Sequence, residues 1–170
     1  IEACWLFSLH YSQLEVVVHP QSVIHSMVEF TDGTTLAHLS APTMNVPLAH
    51  ALGWPNRLTT SVSSIDLIKV GQLTFEALDE DLFPALGLAR WAQNQGGTAC
   101  VTLNAANEEA VAAFLAGKLN FLQIYSVIED ALVHVPVIQD QSMDNILGTD
   151  GLARRRARTH IQLLNTTVCV

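Results

Sequence analysis

The rhythm of apolar positions changes once along this chain. Before about residue 57 they come in short runs or alternate in pairs, and from about residue 79 they recur at three- and four-residue intervals. Residues 1–8 read as the tail of a helix. Glu15-Val16-Val17-Val18 reads as a strand through its β-branched run, ended by Pro20. Ile24 to Phe30 and Thr35 to Leu39 flank Asp32-Gly33, which predicts an antiparallel hairpin. Period-two alternation puts Ile24, Ser26, Val28 and Phe30 on one face, and His25, Met27 and Glu29 on the other. Pro47 opens a short helix, Val46 to Leu52, that stops at Gly53-Trp54-Pro55. The Thr/Ser-rich stretch 59–64 is a loop, and Gln72 to Glu76 is one more short strand.

The helical half begins with Asp81 as a cap and Pro84 in the first turn of a helix that ends at Gln95 before Gly96-Gly97. Asn104 caps the next, with Val111, Phe114 and Leu115 inward and Gly117 as its stop. Asn120 starts a third, whose Ile124, Val127, Ile128, Ala131, Leu132 and Val135 follow helical spacing until Pro136. Ser142 begins a short turn of helix, and Asp150 caps a last helix with Ala153, Ala157, Ile161 and Leu164 inward. The fold class is therefore α+β: a segment with an antiparallel β-hairpin, then a small α-helical bundle of mostly antiparallel neighbours.

Composition narrows the function. Hydrophobic residues make up 49% of the 170 and charged ones 14%, with mean hydropathy +0.30, so some apolar surface is expected to meet another subunit or more of the same protein. No run reaches the roughly 18 apolar residues of a membrane span, and the start lacks a signal peptide's basic region, so the expected location is cytoplasmic. Cys4, Cys100 and Cys169 are far apart and read as reduced, mostly buried thiols. A net charge of -8 argues against a nucleic-acid surface. The run Arg154-Arg155-Arg156-Ala157-Arg158 reads as a solvated helix face near a C-terminus, with an anion patch as the alternative.

The densest chemistry is His19-Pro20-Gln21-Ser22-Val23-Ile24-His25-Ser26-Met27. On one strand His19 and His25 would lie roughly 20 Å apart, and on a helix about 240° apart, so only a sharp turn at Pro20-Gln21-Ser22 could let them share an ion. Ser22 and His25 sit three apart without a G-x-S-x-G elbow, which leaves turn closure as the simpler reading. No glycine-rich phosphate loop occurs. Asn104 to Glu109 reads as a capped helix start, and His50 and Trp54 as packing residues.

The stretch from His19 to Thr34, HPQSVIHSMVEFTDGT, resembles the long signature of the 1-deoxy-D-xylulose 5-phosphate reductoisomerase family. Ile1-Glu2-Ala3 with Trp5-Leu6-Phe7, then Pro42, Met44, Pro47, Trp54-Pro55 and Arg57, Leu73-Thr74-Phe75, and Leu103 to Glu108 are similar to other parts of it. The resemblance implies a homodimeric enzyme that uses NADPH and Mg²⁺, Mn²⁺ or Co²⁺ to rearrange and reduce 1-deoxy-D-xylulose 5-phosphate to 2-C-methyl-D-erythritol 4-phosphate. It divides the chain into the C-terminal part of a catalytic domain (1–57), a linker (58–78) and a C-terminal helical domain (79–170). It places the family's NADPH-binding domain, metal carboxylates, phosphate-binding residues and lid upstream of Ile1. No catalytic, cofactor-binding or metal-ligating residue is then expected in this chain, and the fragment alone is expected to be inactive.

What carries over is supporting. Ser22 and His25 match a turn beside the metal carboxylates, and Pro42 and Met44 match a loop facing the nicotinamide and the lid. Thr43 and Asn45 stand where the family usually has Asp and Arg, and His38 and Ser40 replace a usual Gln and Gly. A non-catalytic dimerisation or scaffold module built from the same region is the competing class.

Overall fold

The computed structural model describes residues 1–167. The chain forms two compact units: Glu15–Leu78, and Ile1–Leu14 with the chain from Asp79 onward. The segment expected as a linker, 58–78, thus lies wholly inside the first of these.

In the Glu15–Leu78 unit, β1 (Val17–Val18) pairs antiparallel with β4 (Glu76–Ala77). Both strands are shorter than their β-branched flanks predict. β1 lacks the expected Glu15 and Val16, and the ladder ends at Val18↔Glu76, short of the expected strand from Gln72, because Pro20 lacks the N–H that would carry it on. The hairpin joins β2 (Ile24–Glu29) to β3 (Thr35–Leu39). Its turn is longer than a two-residue Asp-Gly connection: the Phe30 N–H donates to the Thr34 carbonyl (2.8 Å), the Gly33 N–H donates to the Phe30 carbonyl (2.9 Å), and Gly33 has φ +83°.

A β-bulge interrupts β2, because Ile24 opposes Leu39 while Ser26 opposes His38. The alternation expected from counting by two therefore fails at one point. Ile24 falls on the face of Met27, Ala37 and Leu39. His25 joins Ser26, Val28, Leu36 and His38 on the other, the reverse of its expected placement. After the hairpin come α2 (Asn45–Gly53) and α3 (Leu67–Val70). The latter has no apolar period to announce it and is held by its cap, Asp66, which accepts from the N–H groups of Ile68 and Lys69.

The other unit holds α1 (Glu2–Phe7) and the bundle helices α4 (Ala85–Gln95), α5 (Ala99–Leu115), α6 (Phe121–His134) and α7 (Met143–Thr167). For α6 the sequence reading holds: Asn120 and Gln123 form a reciprocal capping box, and Val127, Ile128, Ala131 and Leu132 are buried. Three expected starts do not. Asp79, not Asp81, accepts the N–H groups of Asp81 and Leu82, and α4 begins after Pro84. Asn104 lies inside α5, which starts earlier, at Ala99. Asp150 lies inside a single α7 that runs unbroken from Met143.

The core is built mostly from alanines: Ala106, Ala110 and Ala113 of α5 and Ala157 of α7 cluster with Val127, Ile128 and Leu132 of α6. Each of those three larger side chains contributes about 1.5–3 kcal/mol by burial. Leu115, expected inward, is exposed, because the small alanines occupy the inner stripe of α5. Helices α6 and α7 run antiparallel, since Asp130 meets Arg156 while Ser126 meets His160.

Candidate functional site

A cleft of about 530 Å³ opens beside the hairpin and is lined by Ser22, His25, His38, Ser40, Pro42, Thr43, Met44 and Pro47. All four supporting residues expected from sequence, Ser22, His25, Pro42 and Met44, line this one concavity. His38, Ser40 and Thr43 join them. His38 was hidden from sequence as a cleft residue because it pairs with Ser26, and only the bulge turns the neighbouring His25 onto the same face.

Each side chain has a local cause for its position. Ser22 closes the turn after Pro20: its N–H donates to the His19 carbonyl at 3.0 Å, and its own φ is +50°, in the left-handed region. His25 is the extra residue of the bulge, and its Nε2–H donates to the Ser40 carbonyl at 2.9 Å. A carbonyl only accepts, so the neutral imidazole carries its proton on Nε2 and keeps Nδ1 as an acceptor. The rings of His25 and His38 are 6.0 Å apart, centre to centre. Pro42 and Pro47 bracket Met44, the residue before α2, and supply rigid apolar wall.

The lining offers imidazole, hydroxyl and thioether groups and, among the described residues, no carboxylate, lysine or arginine. A hard divalent cation wants oxygen ligands, chiefly carboxylates, and a phosphate wants positive charge or a cradle of N–H groups. This cleft fits neither as an anchor. It can present a largely apolar surface and one or two imidazoles to a group held by something else. Among the described residues no three His, Cys, Asp or Glu side chains are placed to hold a metal ion.

His19 turns away to other partners. Its Nδ1–H donates to the Thr74 carbonyl (2.8 Å), and its ring stacks on Phe75 with centres 4.9 Å apart. His50 meets Trp54 edge-on at 5.4 Å, a packing contact. Burial pushes the Cys100 thiol up, away from thiolate chemistry. Cys4 is buried, and Cys169 lies outside the described residues.

The arginine run is more than a solvated face: Arg155 and Arg158 are exposed, but Arg154, Arg156 and Arg158 are engaged by carboxylates. Arg154 bonds Asp150 (2.8 Å) and Glu108 (2.6 Å), Arg156 grips Asp130 with two bonds of 2.6 and 2.7 Å, and Arg158 pairs with Glu109 (2.7 Å). Helical spacing spreads the arginines around α7, and acids of α5 and α6 meet Arg154, Arg156 and Arg158. The Arg156 guanidinium holds the Asp130 carboxyl below its usual range, and Arg158 does the same for Glu109. His160 joins this network through Ser126 Oγ at 3.1 Å and Asp130 Oδ1 at 3.4 Å. Ser126 lies within a helix, however, where its neighbouring N–H groups are bonded along the helix rather than free to stabilise an oxyanion. Asn104 likewise stays within α5, donating to Glu108 Oε1 at 3.2 Å.

A profile of the DXP reductoisomerase C-terminal domain family matches residues 39–156. The 1-deoxy-D-xylulose 5-phosphate reductoisomerase of Pseudomonas syringae pv. syringae (strain B728a) is 51% identical over 154 residues, covering 91% of this chain and 39% of that protein. The one from Pseudomonas fluorescens (strain SBW25) is 49% identical over 168 residues, covering 99% and 42% respectively. Among solved structures, the Zymomonas mobilis reductoisomerase in complex with NADPH is similar with TM-score 0.85 at 43% identity, over 94% of this chain and 42% of that one. A DOX-P reductoisomerase in complex with NADPH, fosmidomycin and magnesium gives TM-score 0.88 at 42% identity, over 96% and 42%. The chain spans about two fifths of the length of the relatives it matches.

Proposed function

This chain belongs to the 1-deoxy-D-xylulose 5-phosphate reductoisomerase family, and on that premise we propose that it supplies the C-terminal portion of an NADPH- and divalent-metal-dependent enzyme converting 1-deoxy-D-xylulose 5-phosphate to 2-C-methyl-D-erythritol 4-phosphate. The enzyme works as a cytoplasmic homodimer in isoprenoid biosynthesis. Residues 1–57 complete the catalytic domain, 58–78 connect, and 79–170 form the helical domain. The cofactor and the metal ion are held by residues outside this chain.

The observation that carries this reading is the cleft. Ser22, His25, Pro42 and Met44 line one concavity that has two imidazoles and an apolar wall but no anchoring charge. Such a surface suits a supporting role: His25, pinned through Nε2–H to the Ser40 carbonyl, presents Nδ1 as an acceptor to a donor group held elsewhere in the enzyme, and Pro42 and Met44 give a dry, rigid backing to the nicotinamide and the lid.

Two preparations test the proposal. The 170-residue chain alone, given substrate, NADPH and Mg²⁺, shows no NADPH oxidation. A chimera in which it replaces the matching region of the Pseudomonas syringae enzyme oxidises NADPH in a substrate-dependent way. Turnover by the isolated chain, or a folded chimera without turnover, would overturn it.

A further inference from the structure

The His19–Ser22 turn is fastened from outside by two of its own side chains. Past Val18↔Glu76 the backbone ladder stops, yet the pairing continues through side chains onto Thr74. His19 Nδ1–H donates to the Thr74 carbonyl at 2.8 Å, and the Thr74 N–H donates to Gln21 Oε1 at 3.1 Å. Gln21 Nε2–H donates to Thr74 Oγ1 at 2.8 Å, and that hydroxyl donates to Gln21 Oε1 at 3.1 Å. The backbone N–H, the carbonyl and the hydroxyl of Thr74 are thus all engaged by this one turn.

We propose that His19, Gln21 and Thr74 are positioning residues: a clamp that holds Ser22, and with it the wall of the cleft, in the geometry the reaction uses. This rests on the functional reading above. The strain at the turn argues for it. Ser22 carries a Cβ at φ +50°, a conformation that persists only where the surroundings over-determine it. Pro20 fixes one dihedral and the Ser22–His19 bond closes the turn, but neither ties the turn to the rest of the unit. The clamp does. Two of its members flank Pro20, which has no N–H to offer, and the next residue after Gln21 is the one that lines the cleft. The first half of the HPQS stretch thereby gains a role that its spacing alone did not show.

The test uses the full-length enzyme that carries this chain. Gln21→Leu removes the Gln21 side-chain bonds to Thr74 and leaves that of His19, and His19→Phe keeps the ring on Phe75 while removing the Nδ1 donor. Both raise the KM for 1-deoxy-D-xylulose 5-phosphate by about fivefold or more, the equivalent of one lost hydrogen bond. Thr74→Ser keeps the hydroxyl, and His19→Asn places an N–H near the lost donor, so both stay near the parent value. A merely structural role would instead lower the melting temperature and the active fraction at unchanged KM, which would overturn the clamp. Should the parent enzyme not oxidise NADPH, the functional reading fails while the clamp remains measurable. The Ser22 amide then exchanges with deuterium about tenfold faster in Gln21→Leu than in the parent, and equal rates would overturn the clamp.

Discussion

Gly97 shows how much one hydrogen atom in place of a methyl group can decide. Its φ is +52°, and a Cβ there would run into the Ile138 carbonyl. That carbonyl already accepts from the Thr98 N–H at 3.0 Å, and the Ile138 N–H donates to Thr98 Oγ1 at 3.0 Å. Gly97→Ala should therefore cost about 2–4 kcal/mol in urea unfolding, since strain and collision add. Gly96→Ala, at φ +66° and ψ −154°, has no collision but enters a region nearly closed to residues with a Cβ, and should cost about 1–3 kcal/mol through strain alone. Equal losses would mean that the backbone near Ile138 gives way. Sequence reading marks Gly96-Gly97 as a helix stop but cannot name residue 138 as the reason, because that contact is made by a distant segment. His25 was misplaced for a similar cause: counting by two cannot see one extra residue in a strand.

Between helices the ordering force is charge meeting charge across small side chains. Asp130 of α6 receives two bonds from Arg156 of α7, and its folded-state carboxyl titrates below the usual value of 3.8. Because the folded group holds its proton less tightly than the unfolded one, the pair contributes stability fully above the unfolded pKa. That stability is lost as pH falls through the lower folded value. Unfolding midpoints measured from pH 6 down to about pH 2.5 should hold at first and then drop below about pH 4. Asp130→Asn should cost on the order of 1 kcal/mol at neutral pH and make that acid drop shallower. An unchanged acid limb would assign it to other carboxylates. Helix α6 was legible because cap, period and stop all agree in its sequence. The start of α5 was not, since Thr98 before it makes no side-chain cap bond, while Asn104 offers a cap residue that lies inside the helix.

Across the whole molecule, large apolar side chains remain at the surface in both units: Trp5 is 76% exposed, Phe7 71%, Leu52 85% and Ile68 92%. The mean hydropathy of +0.30 foretold this excess, while which residues carry it depended on packing. The isolated chain should enhance the fluorescence of a hydrophobic dye such as ANS well above the full-length enzyme at equal molarity. Equal enhancement would show that these side chains stay uncovered there too. The hairpin adds a different lesson. Six residues of β2 run beside five of β3, and the surplus one is His25. An insertion or deletion in a strand ordinarily shifts every pair beyond it. Loss of this residue would leave Ile24 opposite Leu39 and Ser26 opposite His38. An imidazole of the cleft thus occupies a point where a change in chain length is silent to strand pairing, so heritable variation can reach the cleft without passing through the sheet.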